Sequence, residues 1–90
     1  MARHLNIKLY GRVQGVTFRY WARAKAHSLG LSGFAQNRSD GTLYIEVEGE
    51  DEALDIFSKW CHSGPSWAQV TNCQIEIGEM KNFSDFEIIY

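Results

Sequence analysis

Hydrophobic and polar positions along the 90-residue chain follow two different periods. Apolar residues alternate with polar ones over residues 4–11 and again over 42–48, which is the pattern of a half-buried strand. Between these segments, apolar residues recur at helical spacing from 18 to 29, and Gly30 stands where a helix commonly ends. The pattern therefore predicts a strand, a helix and a later strand in the first half of the chain.

The remaining segments complete the order of predicted elements. They are, along the chain, a strand at 31–37, a turn at 37–41, a helix from 50 to the Gly64–Pro65 stop, a strand at 70–77 and a short strand around Phe86 and Ile88. The order β-α-β-β-α-β with an added C-terminal strand is typical of a ferredoxin-like α+β sandwich. We expect residues 1–90 to form one domain, with two helices on one face of a mostly antiparallel sheet.

This topology predicts which segments meet. In the strand order 4-1-3-2, the first two strands both run antiparallel to the third and so parallel to each other. The loop after the first strand and the end of the second strand then lie at the same sheet edge, roughly 10 Å apart. We expect the Gly11–Arg19 segment and Asn37 to come together there.

Composition is that of an ordinary globular protein, with 44% hydrophobic and 22% charged residues. No apolar run reaches membrane-spanning length, and the N-terminus lacks the apolar stretch of a signal peptide, so we expect a cytoplasmic protein without membrane contact. Cys61 and Cys73 lack the spacing of a zinc site and are expected to be reduced thiols. The three histidines do not share a metal-binding spacing, and no metal or cofactor is expected.

Charge is distributed unevenly along the chain. Residues 1–39 contain no Asp or Glu, whereas residues 40–90 contain all eleven acidic side chains. Such asymmetry indicates an anionic partner, or it arises because helix exteriors happen to carry one sign each. The predicted topology favours the anionic partner, because it places the acidic run 50–52 at the edge opposite the Gly11–Arg19 loop.

The Gly11–Arg19 segment has several features of an anion-binding site. Gly11 and Gly15 precede a helix, whose N-terminus attracts negative charge, although most such loops are only turns. The positive charge of Arg19 in the first helical turn interacts unfavourably with the positive end of the helix dipole. A dianion bound there would make the interaction favourable. An exposed, solvated arginine is the alternative explanation, and Arg12 and Arg23 are assigned only as contributors to the electrostatic field.

Two motifs in the chain resemble the acylphosphatase family. Residues 11–19, GRVQGVTFR, fit the signature G-x-V-Q-G-V-x-F-R at every specified position. A second motif reads GFAQN at 33–37, with later glycines at Gly41 and Gly49; Leu43 departs from the valine that is usual there. Together the motifs span residues 9–49.

The resemblance implies hydrolysis of an acyl phosphate to a carboxylate and inorganic phosphate by metal-free attack of a positioned water. Arg19 would bind the phosphoryl group, and Asn37 would orient the water. The phosphate would also contact the loop backbone, at Gln14, Gly15, Val16, Thr17, Phe18 and Arg19. It implies a small-molecule substrate, inorganic phosphate as product and competing ligand, and no cofactor. A monomer is the simplest expectation for the oligomeric state, which the sequence does not specify.

Two other functions compete with hydrolysis. RNA binding would need exposed aromatic and basic residues on the third strand, which instead reads TLYIEVEGE with three acids, so no nucleic-acid partner is expected. A phosphate-binding module without turnover would need Arg19 but not Asn37. His62 is the only histidine predicted near the loop, and we interpret it as ordinary structure at a helix end.

Overall fold

The computed structural model describes residues 1–15 and 17–90. Its elements are β1 (Ala2–Arg12), α1 (Phe18–Ser28), β2 (Ser32–Asn37), β3 (Leu43–Glu50), α2 (Asp51–Cys61), β4 (Gln69–Gly78) and β5 (Phe86–Ile89). The predicted order of elements is confirmed. β1 is longer than its alternating pattern indicated because it pairs with both β3 and β4 along most of its length.

The sheet has the strand order β4-β1-β3-β2-β5. β1 and β2 are both antiparallel to β3 and therefore parallel to each other, as predicted. β5 adds to the outer edge of β2 in parallel, with Gln36 opposite Ile89. This register places Tyr90, the residue after β5, at the sheet end where Asn37 closes β2.

Both helices pack on the same face of the sheet and share one hydrophobic core. In register, Leu5, Ile7 and Leu9 of β1 lie opposite Val47, Ile45 and Leu43 of β3, and all six are buried. The buried helix residues are Phe18, Ala22 and Ala26 of α1 and Leu54, Phe57 and Cys61 of α2. Removing this apolar surface from water is the main stabilising term, and it leaves the remaining faces of α1 free to carry charge.

On the other face of the sheet, the burial of side chains differs from what the alternating sequence pattern predicts. Glu46 and Glu48 were expected to face solvent, but they are 6% and 2% exposed. His4 Nδ1 lies 2.7 Å from Glu48, and Lys81 Nζ lies 2.7 Å from Glu46. The backbone N–H of Phe83 also donates to Glu48. Glu46 and Glu48 are therefore buried and paired, and they do not present exposed negative charge on this face.

Cys61 is buried, Cys73 is half-buried, and both are free thiols. Burial raises the pKa of each thiol, that of Cys61 strongly. No helix within residues 1–15 and 17–90 is long and apolar enough to cross a membrane.

Candidate active site

A cavity of about 360 Å³ opens where the β1–α1 loop, the start of α1 and the ends of β2 and β5 meet. Its lining includes Gly15, Thr17, Arg19 and Asn37, so the structure brings the two sequence motifs together. Phe18 also lines it, whereas Gln14 and Arg12 are not among the described lining residues. Val16 lies outside the described residues.

The loop before α1 owes its shape to positive backbone angles. Gly11 has φ 112°, and a Cβ there would lie 2.2 Å from the carbonyl oxygen of Gln69, so only glycine fits this bulge in β1. Gly15 has φ 72°, and Thr17, which precedes the helix, has φ 59°. A left-handed conformation at threonine is uncommon and typically marks a functional turn.

The buried ring of Phe18 anchors the start of α1. It packs edge-on against Trp60 of α2, with ring centroids 5.4 Å apart. This contact fixes the first helical turn next to the cavity. The N–H groups of a first turn have no partner inside the helix, so they can hydrogen-bond an anion there.

The side chain of Gln14 ties the loop to the β2–β3 turn. Its Nε2 donates to the carbonyl oxygens of Arg38, at 2.7 Å, and Thr42, at 2.9 Å. The sequence motif suggested only a backbone role for Gln14, because a loop glutamine gives no signal of which carbonyls it will reach. These two bonds couple the loop to the turn that follows Asn37.

That turn is itself held by several bonds. The N–H of Arg38 donates to the carbonyl of Thr42 at 2.9 Å, and Asp40 Oδ1 accepts from the backbone N–H and the hydroxyl of Thr42. Lys8 lies 3.2 Å from the same carboxylate. Hydrogen bonds from Thr42, with the Lys8 contact, lower the pKa of Asp40 to about 2.

Asn37 ends β2 with its side-chain oxygen inside the structure. Oδ1 is buried and has no hydrogen-bond partner among the described residues. Leaving a buried carbonyl oxygen unpaired costs about 1–3 kcal/mol. Asn37 also lines the cavity, so this unpaired acceptor belongs to a residue at the cavity wall.

Arg19 is half-buried in the first turn of α1, and its guanidinium lies over the Tyr90 ring at 4.8 Å from the centroid. Arg23 follows one turn later in the same cavity, over the ring of Tyr20 at 5.7 Å. Within the described part of the chain, no carboxylate lies within 4 Å of either guanidinium. The aromatic contacts orient these cations without neutralising them.

Sequence reasoning missed the contributions of Tyr20, Ile88 and Tyr90 to the cavity. The partner strand of β5 cannot be read from four residues of pattern, and the position of Tyr90 depends on it. His62 is exposed, its Nδ1 lies 2.8 Å from the Ser58 carbonyl, and it is not among the described cavity residues. Among residues 1–15 and 17–90, no three His, Cys, Asp or Glu side chains are grouped as metal ligands.

The chain is a small α+β protein with a ferredoxin-like fold, in which the β1–α1 loop, Arg19 and Asn37 line one cavity. The acylphosphatase family model matches residues 5–88. The acylphosphatase of Archaeoglobus fulgidus is 41% identical over 86 residues, which cover 96% of this chain and 97% of that protein. That of Nocardioides sp. is 38% identical over 88 residues, covering 98% of this chain and 89% of that protein.

Comparison with solved structures also gives acylphosphatases as similar proteins. The crystal structure of acylphosphatase from Bacillus subtilis matches with a TM-score of 0.94 and 33% identity over the whole of both chains. The chain belongs to the acylphosphatase family. Its function is that of an acylphosphatase, an enzyme of the hydrolase class.

Proposed function

We propose that the cavity is the catalytic site and that it hydrolyses acyl phosphates by in-line attack of a water held by Asn37. The observation that carries this proposal is the buried, unpaired Oδ1 of Asn37 in the same cavity as Arg19 and the helix N-terminus. A phosphate needs only donors and positive charge. An added unpaired acceptor is suited to a water that must be oriented.

Arg19 and the loop amides bind the phosphoryl group in this mechanism. The guanidinium engages two of the three equatorial oxygens, and the backbone N–H groups of residues 14–19 donate hydrogen bonds to the phosphoryl group. The positive φ angles at Gly15 and Thr17 support this role, as does the start of α1 at the cavity. These donors stabilise the charge on the equatorial oxygens, which is the main demand of phosphoryl transfer.

The chemical step needs no acid catalyst from the protein. The water donates a hydrogen bond to Asn37 Oδ1 and its oxygen attacks phosphorus. The bond between phosphorus and the acyl oxygen breaks, and the carboxylate leaves with the electron pair. The proton of the water passes to a phosphoryl oxygen, since the described lining contains no Asp, Glu or His side chain. A carboxylate is a good leaving group, so its oxygen requires no protonation.

The proposal also covers the domain organisation, the location and the oligomeric state of the enzyme. Residues 1–90 act as one acylphosphatase-like domain, and the enzyme is a cytoplasmic monomer that uses no cofactor and is inhibited competitively by inorganic phosphate. The two free thiols support a reducing compartment. Light scattering measures the oligomeric state directly.

Hydrolysis of benzoyl phosphate by the pure protein in excess chelator tests the mechanism. Asn37→Ala should lower kcat about 100-fold or more, the typical effect of losing one well-placed polar group, while inorganic phosphate still binds. Asn72→Ala, which removes an exposed asparagine outside the described cavity lining, is the matched control. Turnover near that of wild type in Asn37→Ala contradicts the water-positioning role. Absent turnover in the wild-type protein, with inorganic phosphate still bound, would instead support a phosphate-binding module.

A further inference from the structure

The cavity holds a second guanidinium that the proposed mechanism does not use. Arg23 is half-buried, and its side chain rests over the Tyr20 ring. It sits four residues after Arg19, so the two cations share one face of α1 with a rise of about 6 Å between them.

Four of the nine Lys and Arg side chains are paired with carboxylates: Arg3 with Asp51, Lys8 with Asp40, Lys59 with Asp55 and Lys81 with Glu46. The other five, Arg12, Arg19, Arg23, Lys25 and Arg38, have no carboxylate within 4 Å in the described structure. Of these five, Arg19 and Arg23 belong to the described cavity lining. Two like charges four residues apart on a helix repel, and withdrawal from water adds a further cost. A second negative charge in the cavity would offset both costs.

In the proposed mechanism the phosphoryl group engages Arg19 and the loop, which leaves Arg23 without an assigned anion. The loop amides and Arg19 lie at the start of the helix, whereas Arg23 lies one turn further along in the same cavity. The Arg23 guanidinium lies over the Tyr20 ring, 5.7 Å from its centroid. The N–H edge of a guanidinium suits a bidentate contact with a carboxylate or phosphate.

We infer that Arg23 is a specificity-determining residue that binds a second anionic group on the acyl portion of the substrate. The preferred substrates are then acyl phosphates of acids that carry another carboxylate or phosphate about one helical turn from the reacting phosphorus. The inference rests on the proposed function, because it takes the phosphoryl position from Arg19 and the loop.

Binding of two stable analogues tests the inference without turnover. Benzylphosphonate carries only the phosphonate, and (3-carboxybenzyl)phosphonate adds one carboxylate. Calorimetry on the wild-type protein should show tighter binding of the carboxylated analogue, by roughly fivefold, as expected for one partly screened charge-assisted contact. The ratio of the two affinities should fall to about one in Arg23→Gln and be partly kept in Arg23→Lys.

Lys25→Gln is the matched control, because it removes one positive charge from the same helix at a residue that does not line the cavity. It should keep the wild-type ratio. The inference is overturned if the wild-type ratio is near one, if Arg23→Gln leaves the ratio unchanged, or if Lys25→Gln lowers it equally. Benzoyl phosphate turnover by the wild-type protein tests the proposed function separately. If the affinity ratio depended on Arg23 but the protein showed no turnover, only the proposed function would be overturned.

Discussion

At the scale of single residues, the two motifs identify most of the polar groups in the cavity but not how they are held. Arg19 and Asn37 could be placed together from sequence because strand order puts their segments at one sheet edge. The contacts of the Gln14 side chain could not be predicted, since its partners are carbonyl oxygens of a turn 24 and 28 residues away. Side-chain to backbone bonds of this kind depend on the folded loop rather than on any periodic pattern.

Gln14→Ala should reduce activity by separating the loop from the β2–β3 turn. Loss of two hydrogen bonds is expected to lower the free energy of unfolding by about 1–2 kcal/mol. Because Asn37 immediately precedes the turn, kcat for benzoyl phosphate should fall about tenfold, which we expect from loss of precise positioning. Gln74→Ala removes an exposed glutamine on β4 and is the control. Unchanged kcat in Gln14→Ala would show that the β2–β3 turn positions Asn37 without the hydrogen bonds from Gln14.

At the scale of elements, sequence patterns predicted each helix and strand but not the second face of the sheet. The alternation over 42–48 assigned Glu46 and Glu48 to solvent, because period alone cannot reveal partners far along the chain. In the structure they are buried and are paired with His4 and Lys81. The parallel pairing of β5 with β2 was likewise not predictable, since a four-residue strand offers too little pattern to choose a partner.

The buried carboxylates make stability depend on pH. Burial alone raises the pKa of Glu46 and Glu48, but hydrogen bonds outweigh it, from Lys81 and Tyr44 to Glu46 and from Lys81, His4 and Phe83 to Glu48. Both values therefore lie below the ordinary 4.5. A carboxyl group with a lowered folded pKa adds stability above its unfolded pKa, and this stability is lost as pH falls through the folded value.

The free energy of unfolding in urea should accordingly fall as pH drops below about 4.5. Glu48→Gln should be less stable at pH 7 and should show a shallower pH dependence than wild type. Asp40 also titrates in acid, with its pKa near 2, so the comparison is the difference between the two proteins rather than either curve alone. Parallel curves for wild type and Glu48→Gln would rule out this role for Glu48.

At the scale of the whole molecule, the charge asymmetry of the chain becomes partly an asymmetry in space. Near the start of β1, the N-terminal amine and Arg3 are paired with Glu50 and Asp51, so Arg3 adds little to the cavity field. Arg19 and Arg23 line the cavity at the other end of the sheet. The anionic partner inferred from sequence is thus supported by two cations, not by all seven basic residues of the first half.

The central claim of this account is that Arg19 and the loop hold the phosphoryl group of the substrate. Arg19→Ala tests it most directly, by benzoyl phosphate hydrolysis and by calorimetric binding of inorganic phosphate to the same sample. We predict that hydrolysis falls at least 1,000-fold and that phosphate binding is lost while the far-ultraviolet circular dichroism of the fold is retained, since one removed cation eliminates most of the fixed positive charge at the transferring group. Phosphate binding of wild-type strength in folded Arg19→Ala would contradict the account.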